Sequence, residues 1–220
     1  MCRIKGNFVL NYRKFRFRDY TTIIIFFKEE SIQQYPFFDK FQLSFFQAMT
    51  SITTVGFNSI SNTSLSLPIV LVTFFLMYIG ASPSSTAGGM KVTTLTALVS
   101  IIKSKLQNKE KVTFMNRIIP KDRLEIAIST FIFYTGILFL STFLLTFSEK
   151  FAFERILFET LSAIGTVGLS TGITGDLSVF GKIVIIVIMF IGRLGVLTFG
   201  LAILARKKQK KEHNEEDLAI

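Results

Sequence analysis

Two short stretches, Thr53-Thr54-Val55-Gly56-Phe57 and Gly165-Thr166-Val167-Gly168-Leu169, occupy matching places in the two halves of the chain, each just ahead of a long apolar segment. Their residue types suit ion chemistry carried by the backbone. A Thr-Val-Gly strand closed by a large apolar residue can turn its carbonyls inward to replace the hydration shell of a potassium ion, and the glycine allows the dihedral angles this needs. One copy carries little weight, because Thr-Val-Gly recurs by chance in strands and turns. Two copies, each after an amphipathic run and before a spanning segment, read as two quarters of a cation selectivity filter.

The elements that must hold such strands are written in the composition. Half of the 220 residues are apolar, mean hydropathy is +0.50, and Phe reaches 25 while Trp is absent, which places the chain among membrane proteins. The single Cys2 rules out an intrachain disulfide or a cysteine metal cluster, and the single His213 lies in a charged tail. No span holds paired carboxylates, a His, or a nucleophile with a base in reach, so no enzyme activity is expected; Glu125, Glu154 and Glu159 fall near span ends and read as interface markers. No cofactor is expected either. The net charge of +10 does not point to nucleic acid, because the cations fall in blocks between apolar spans without interleaved aromatics.

Those blocks set a topology. Arg3 to Arg18, Lys103 to Arg123 and Arg206 to Lys211 are cytoplasmic by the positive-inside rule, and the segments 28–40, 148–155 and 172–178 lie outside. The N-terminus is not expected to be a cleaved signal peptide. The predicted architecture is all-α, integral and multi-pass in the cell membrane, with membrane-pore-membrane repeats, re-entrant pore helices and a broken returning helix. A cytoplasmic segment 1–20 leads into the first repeat, 21–102; the basic loop 103–123 leads into the second, 124–205, and the tail is 206–220. In the second repeat, Leu124 to Phe147 crosses, Phe151 to Ile164 is the half-membrane pore helix, and Val179 to Ala205 returns.

The first repeat departs from this plan twice. Its outgoing span, Thr21 to Phe27, offers only about 10 Å of apolar helix before Lys28 where about 30 Å is needed. A deletion or gene fragment is the favoured explanation, with a short interfacial helix as the other; the pore helix, Phe38 to Ile52, is intact. The second departure is the returning segment. Leu67 to Ile79 is apolar, Gly80-Ala81-Ser82-Pro83-Ser84-Ser85-Thr86-Ala87-Gly88-Gly89 interrupts it, and the helical pattern resumes over 91–102. Such a run cannot stay helical in lipid, and irregular backbone at membrane depth must line a cavity or be buried in protein. Beneath a filter it would make a gate; the alternative is an ordinary loop ending a short helix. Gly88-Gly89-Met90-Lys91 lacks the spacing of a phosphate-binding loop. Arg193 is the only charge between Lys182 and Arg206; about 20 Å of helix separates it from Arg206, too far to snorkel, so it should face a cavity or the bundle interior.

Together, the two tetrapeptides, the run Ser85-Thr86-Ala87-Gly88-Gly89-Met90-Lys91 and the run Gly192-Arg193-Leu194-Gly195-Val196-Leu197-Thr198 resemble the Trk/Ktr/HKT superfamily, most closely the membrane subunit of bacterial Ktr potassium uptake systems, from about Phe15 to Arg206. Members carry four membrane-pore-membrane repeats around a pseudo-fourfold pore, and this chain matches the third and fourth. The resemblance implies filter carbonyls on Thr54, Val55, Gly56 and Phe57 and on Thr166, Val167, Gly168 and Leu169. It implies a gate drawn from Gly80, Ser82, Ser84, Ser85, Thr86, Gly88, Gly89 and Lys91, with Arg193 beside it. It also implies K⁺ as transported ion with a possible Na⁺ dependence, a homodimer in the intact subunit, and a cytoplasmic ring of nucleotide-binding RCK subunits. Alternatives are a non-conducting fragment of such a transporter, or a two-repeat subunit of another cation channel whose four filters come from two chains.

Overall fold

The computed structural model describes residues 29, 32–80, 88–108, 111–114 and 117–195. Six α-helices run through them: α1 (Phe37–Thr53), α2 (Leu67–Tyr78), α3 (Val92–Leu106), α4 (Lys121–Ser148), α5 (Phe153–Ile164) and α6 (Val179–Leu194). The outgoing span expected at 21–27 lies outside the described residues. With 28 residues, α4 is roughly 42 Å long, more than the thickness of a bilayer core, and is the one described helix long and apolar enough to cross alone. By contrast α5, with 12 residues, reaches roughly 18 Å. The short helix is the better buried: Ile156 and the unbroken stretch Phe158 to Ile164 are all covered, while Phe139, Phe143 and Phe147 of α4 are exposed.

Three apolar clusters join the elements. Tyr134 and Leu145 of α4, Ile156 and Ile164 of α5, and Ile185, Ile188 and Ile191 of α6 pack together with Met90. Val70, Phe74 and Met77 of α2 meet Phe158 and Leu161 of α5, and Val167 and Leu169 beyond it. Ala48 and Ile52 of α1 pack on Ile69 and Leu76 of α2. Hydroxyl pairs add cross-ties: Thr142 of α4 with Thr160 of α5 at 3.0 Å, and Tyr78 at the end of α2 with Thr135 of α4 at 2.7 Å.

The two halves correspond at a fixed offset from α1 to α2 and from α5 to α6. An offset of 112 residues carries Gly56 onto Gly168, and also carries Ser66, just before α2, onto Ser178, just before α6. Both serines are held by a glutamate: Ser66 donates its N–H and hydroxyl to the buried Glu29, and Ser178 does the same to Glu149. The hydroxyl of Ser178 in turn accepts from the N–H of Gly181, capping α6.

The described chain is mostly helical, in keeping with the all-α expectation, and within the basic loop it folds back into two short antiparallel strands, β1 (Thr113–Phe114) and β2 (Arg117–Ile118). Thr113 N–H is tied to the Ser104 hydroxyl at 3.2 Å, which brings the loop against α3. Two expectations need correcting. The basic loop starts later than predicted, since α3 continues through Lys103 and Lys105 to Leu106. Finally, α6 does not run unbroken to Ala205: it ends at Leu194, and Gly195 takes φ +84°, outside any right-handed helix. Residues 196–220 lie outside the described part.

Candidate ion filter and gate

α1 and α5 each end directly at one of the two tetrapeptides. At the end of α1, Thr54 adopts the left-handed conformation with φ +55°, Val55 N–H reaches back to the Thr50 carbonyl at 3.1 Å, and Gly56 has φ +81°. The second copy repeats each feature 112 residues on: Thr166 at φ +51°, Val167 N–H to the Ser162 carbonyl at 2.8 Å, and Gly168 at φ +91°. A β-branched residue with positive φ is an outlier costing about 1–3 kcal/mol, and such strain gathers at functional sites. Among the described residues, only Asn108 shares that conformation with the two threonines outside glycine.

The two loops meet. A Cβ built on Gly56 would fall on the Val167 carbonyl oxygen, and Gly168 Cα lies beside it. Asn62 locks their outer ends together by donating to the Ser170 carbonyl at 3.1 Å and to the Asn58 side chain at 3.0 Å. Helix C-termini carry partial negative charge, so α1 and α5 both direct a favourable potential for cations at these loops.

Behind each loop sits a buried polar anchor that sequence reasoning missed. Glu159, read above as an interface marker, is buried, and its carboxyl collects four donors: the Ser170 hydroxyl at 2.6 Å, the Thr171 N–H at 2.9 Å and hydroxyl at 3.2 Å, and the Thr174 hydroxyl at 2.8 Å. Its counterpart at the 112-residue offset is Gln47, also buried, which donates to Asn62 at 3.0 Å and accepts from Ser59 at 3.3 Å. Ser59 and Asn62 themselves map onto Thr171 and Thr174. Aligning the two halves of the sequence on their glycines would have exposed this pairing; reading Glu159 as a lone charge near a span end did not.

Of the gate residues, Ser82, Ser84, Ser85 and Thr86 lie outside the described residues. Their flanks are described. Met90 N–H bonds the Tyr78 carbonyl at 3.3 Å and Ile79 pairs with Met90, so the two ends of the interruption are pinned side by side. Gly80 packs on the Gly88 and Gly89 backbone, and Gly88 lies against the Gly165 carbonyl and the Thr166 hydroxyl. Gly80 and Gly88 are therefore rooted where α5 gives way to its following loop. Lys91 stands at the start of α3, within electrostatic reach of Arg193. Arg193 is exposed and occupies the last turn of α6, where a cation suits the helix C-terminus; its exposure fits the cavity-facing alternative and not burial in the bundle interior.

Among the described residues, no group of three or more His, Cys, Asp or Glu gathers to hold a metal.

The described residues form a mostly helical chain with two backbone loops of like conformation at helix ends. The chain belongs to the TrkH cation transport protein family, whose model matches residues 10–216. It is 42% identical over 161 residues to the Ktr system potassium uptake protein B of Bacillus subtilis (strain 168), covering 73% of this chain and 36% of that one. With the protein of the same name from Vibrio alginolyticus it shares 37% over 177 residues, covering 80% and 38%. The crystal structure of the potassium transporter TrkH from Vibrio parahaemolyticus has the same fold, with TM-score 0.74 at 20% identity over 87% of this chain and 43% of that one. The chain thus spans about two fifths of the length of these relatives, which are transporters rather than enzymes.

Proposed function

We propose that this chain supplies two of the four filter strands of a potassium uptake pore, as the third and fourth repeats of a Ktr-type translocating subunit in the cell membrane. The observation that carries the reading is the matched pair of loops, each with a left-handed threonine and a positive-φ glycine at a pore-helix C-terminus, meeting at Gly56 and Val167. In this reading the carbonyls of Thr54 to Phe57 and Thr166 to Leu169 face the ion and replace its water, and a glycine in each strand favours K⁺ over Na⁺. Movement is passive: the membrane potential contributes about 2.3 kcal/mol per charge per 100 mV, enough to concentrate the cation without ATP hydrolysis by this chain.

The segment from Gly80 to Gly89 forms the gate beneath the filter, with Lys91 and Arg193 as the cations that hold or bias it. Its rooting against Gly165 and Thr166 supports that position. The intact subunit is a homodimer that sits on a cytoplasmic RCK ring, whose nucleotide state acts on the gate, and Na⁺ dependence follows the Ktr pattern.

The test is potassium-limited growth of an uptake-deficient bacterium expressing the chain, alone and beside a chain supplying two further repeats, followed by ion competition. Growth rescue that Gly168→Ser converts to poor K⁺ over Na⁺ discrimination supports the filter. Unchanged discrimination in that variant removes it.

A further inference from the structure

Glu159 and Gln47 hold the same place at the 112-residue offset, and each ties down the loop that follows its helix. Both are buried, Glu159 at 6% exposure and Gln47 at 0%. Gln47 does this with an amide, donating to Asn62 and accepting from Ser59. An amide therefore suffices as the anchor of such a loop. Glu and Gln have nearly the same shape and differ by a unit of charge, and burying that charge carries a desolvation cost that the amide avoids. The second repeat keeps the charge where the first does without it.

The contacts of Glu159 preserve that charge. Its four donors are all neutral, three hydroxyls and one backbone N–H, and each gives its hydrogen to the carboxyl. This is the partner set of an ionised carboxylate, which only accepts. Ser170 links the charge to the junction of the two loops: its hydroxyl bonds Glu159, and its carbonyl accepts from Asn62 at 3.1 Å. Asn62 is held in turn by Gln47. A hydrogen-bonded chain thus runs from Glu159 through Ser170 and Asn62 to Gln47, with the charge at one end only.

The carboxylate lies close to the tetrapeptide without belonging to it. Thr171 N–H is 2.9 Å from it, and Thr171 follows Leu169 by two residues. Two residues of chain span at most about 7.6 Å, which puts the Leu169 backbone within about 10 Å of the charge. At that range, with an effective permittivity of about 20, a unit charge changes the affinity for a monovalent cation roughly tenfold.

We propose that Glu159 sets the cation affinity of the pore: a fixed carboxylate, held by neutral donors behind the loop after α5, attracts the entering ion without touching it, and Gln47 is its neutral counterpart. The inference deepens the potassium-pore reading and rests on it. Charge at a distance acts alike on every monovalent cation, so Glu159 governs how tightly the ion is held, while discrimination between ions stays with the backbone carbonyls.

The experiment measures the kinetics of potassium uptake in the uptake-deficient bacterium, with the chain alone or beside a chain supplying two further repeats. Glu159→Gln keeps an acceptor for Thr171 and loses the charge; it is expected to raise KM for K⁺ roughly tenfold, with the maximal rate within about twofold and competition by Na⁺ relative to K⁺ unaltered. Glu159→Asp keeps the charge but falls one methylene short of its donors, so it is expected to be the less stable variant yet to hold KM within about threefold. A merely structural anchor gives the opposite order, with the aspartate variant the worse in uptake. Should Glu159→Gln not accumulate in the membrane, Thr174→Lys takes its place: this exposed position already contacts the carboxyl, so a cation there neutralises it, and KM must rise where Thr174→Ala leaves it low. An unchanged KM in the charge-removing variant, or a KM that follows stability instead of charge, overturns the proposal. If Gly168→Ser alters K⁺ over Na⁺ discrimination while Glu159→Gln leaves KM unchanged, this inference falls and the filter reading stands; absence of uptake in every arrangement removes both.

Discussion

Replacing Glu159 with alanine should cost far more than its place near the end of an apolar span suggests. Its carboxyl receives four donors, of which the Thr171 N–H and hydroxyl belong to a buried residue, while Ser170 and Thr174 are partly open to solvent. A hydrogen bond to a charged group contributes about 1.5–3 kcal/mol, and a buried donor left without an acceptor loses that and more. Counting only the two Thr171 bonds, because Ser170 and Thr174 can rehydrate, Glu159→Ala should lose about 3–6 kcal/mol, a large share of the 5–15 kcal/mol that holds a typical domain. Glu159→Gln is the discriminating comparison. Its amide oxygen can still accept from Thr171, its NH₂ can donate to the Thr174 hydroxyl, and Gln47 already fills this position in the first repeat. The glutamine variant should therefore lose no more than about 1–1.5 kcal/mol. Equilibrium unfolding of both variants in mixed detergent micelles, followed by circular dichroism, reads the difference. If alanine falls within about 1 kcal/mol of glutamine, the carboxyl is not the anchor of the loop that follows α5 and the reasoning fails.

The remaining predictions concern packing and pH. Gly192→Ala should destabilise by about 1–3 kcal/mol, since a Cβ there would meet the Ile164 backbone carbonyl, which cannot move without shifting the end of α5; an ordinary helical glycine would instead gain up to about 1 kcal/mol, so a raised melting temperature would refute this contact. The hydrogen bond from the Ser178 hydroxyl, aided by the Ser178 N–H, holds the Glu149 carboxyl below its ordinary 4.5. A depressed folded value means that its contribution is complete above the unfolded value and is lost as pH falls through the folded one. The stability difference between the natural chain and Glu149→Gln should hence be constant above about pH 5.5 and shrink below 4.5; a difference that does not change with acidification contradicts the clamp.

The conformation of the two matched loops was legible in the sequence because it belongs to the backbone, with Gly56 and Gly168 both at positive φ. Backbone chemistry of that kind constrains residue type locally: a glycine where φ must be positive, and a short helix of mixed polarity in front. The stop of α2 at Tyr78 was legible for the same reason, since the run of Gly, Pro and hydroxyl residues that follows it in the sequence disfavours a helix. Spans followed from apolar length, although α6 stops at Leu194 because Gly195 takes a left-handed φ, which a continuous apolar run did not reveal.

What the sequence left open was decided by distance in space. Glu159 looked like a stray charge because its partners lie 11 to 15 residues ahead, beyond the filter turn, and only the folded loop returns them to it. Arg193 could face a cavity or the bundle interior by sequence alone, and only the fold shows it exposed in the last turn of α6. Phe74 is buried and its counterpart Ile186 exposed, Val167 is buried and Val55 exposed, and the difference is invisible in residue type, since all four are apolar. Hydrophobicity along the chain states that a side chain avoids water; only the tertiary arrangement decides whether lipid, the other repeat or another protein covers it.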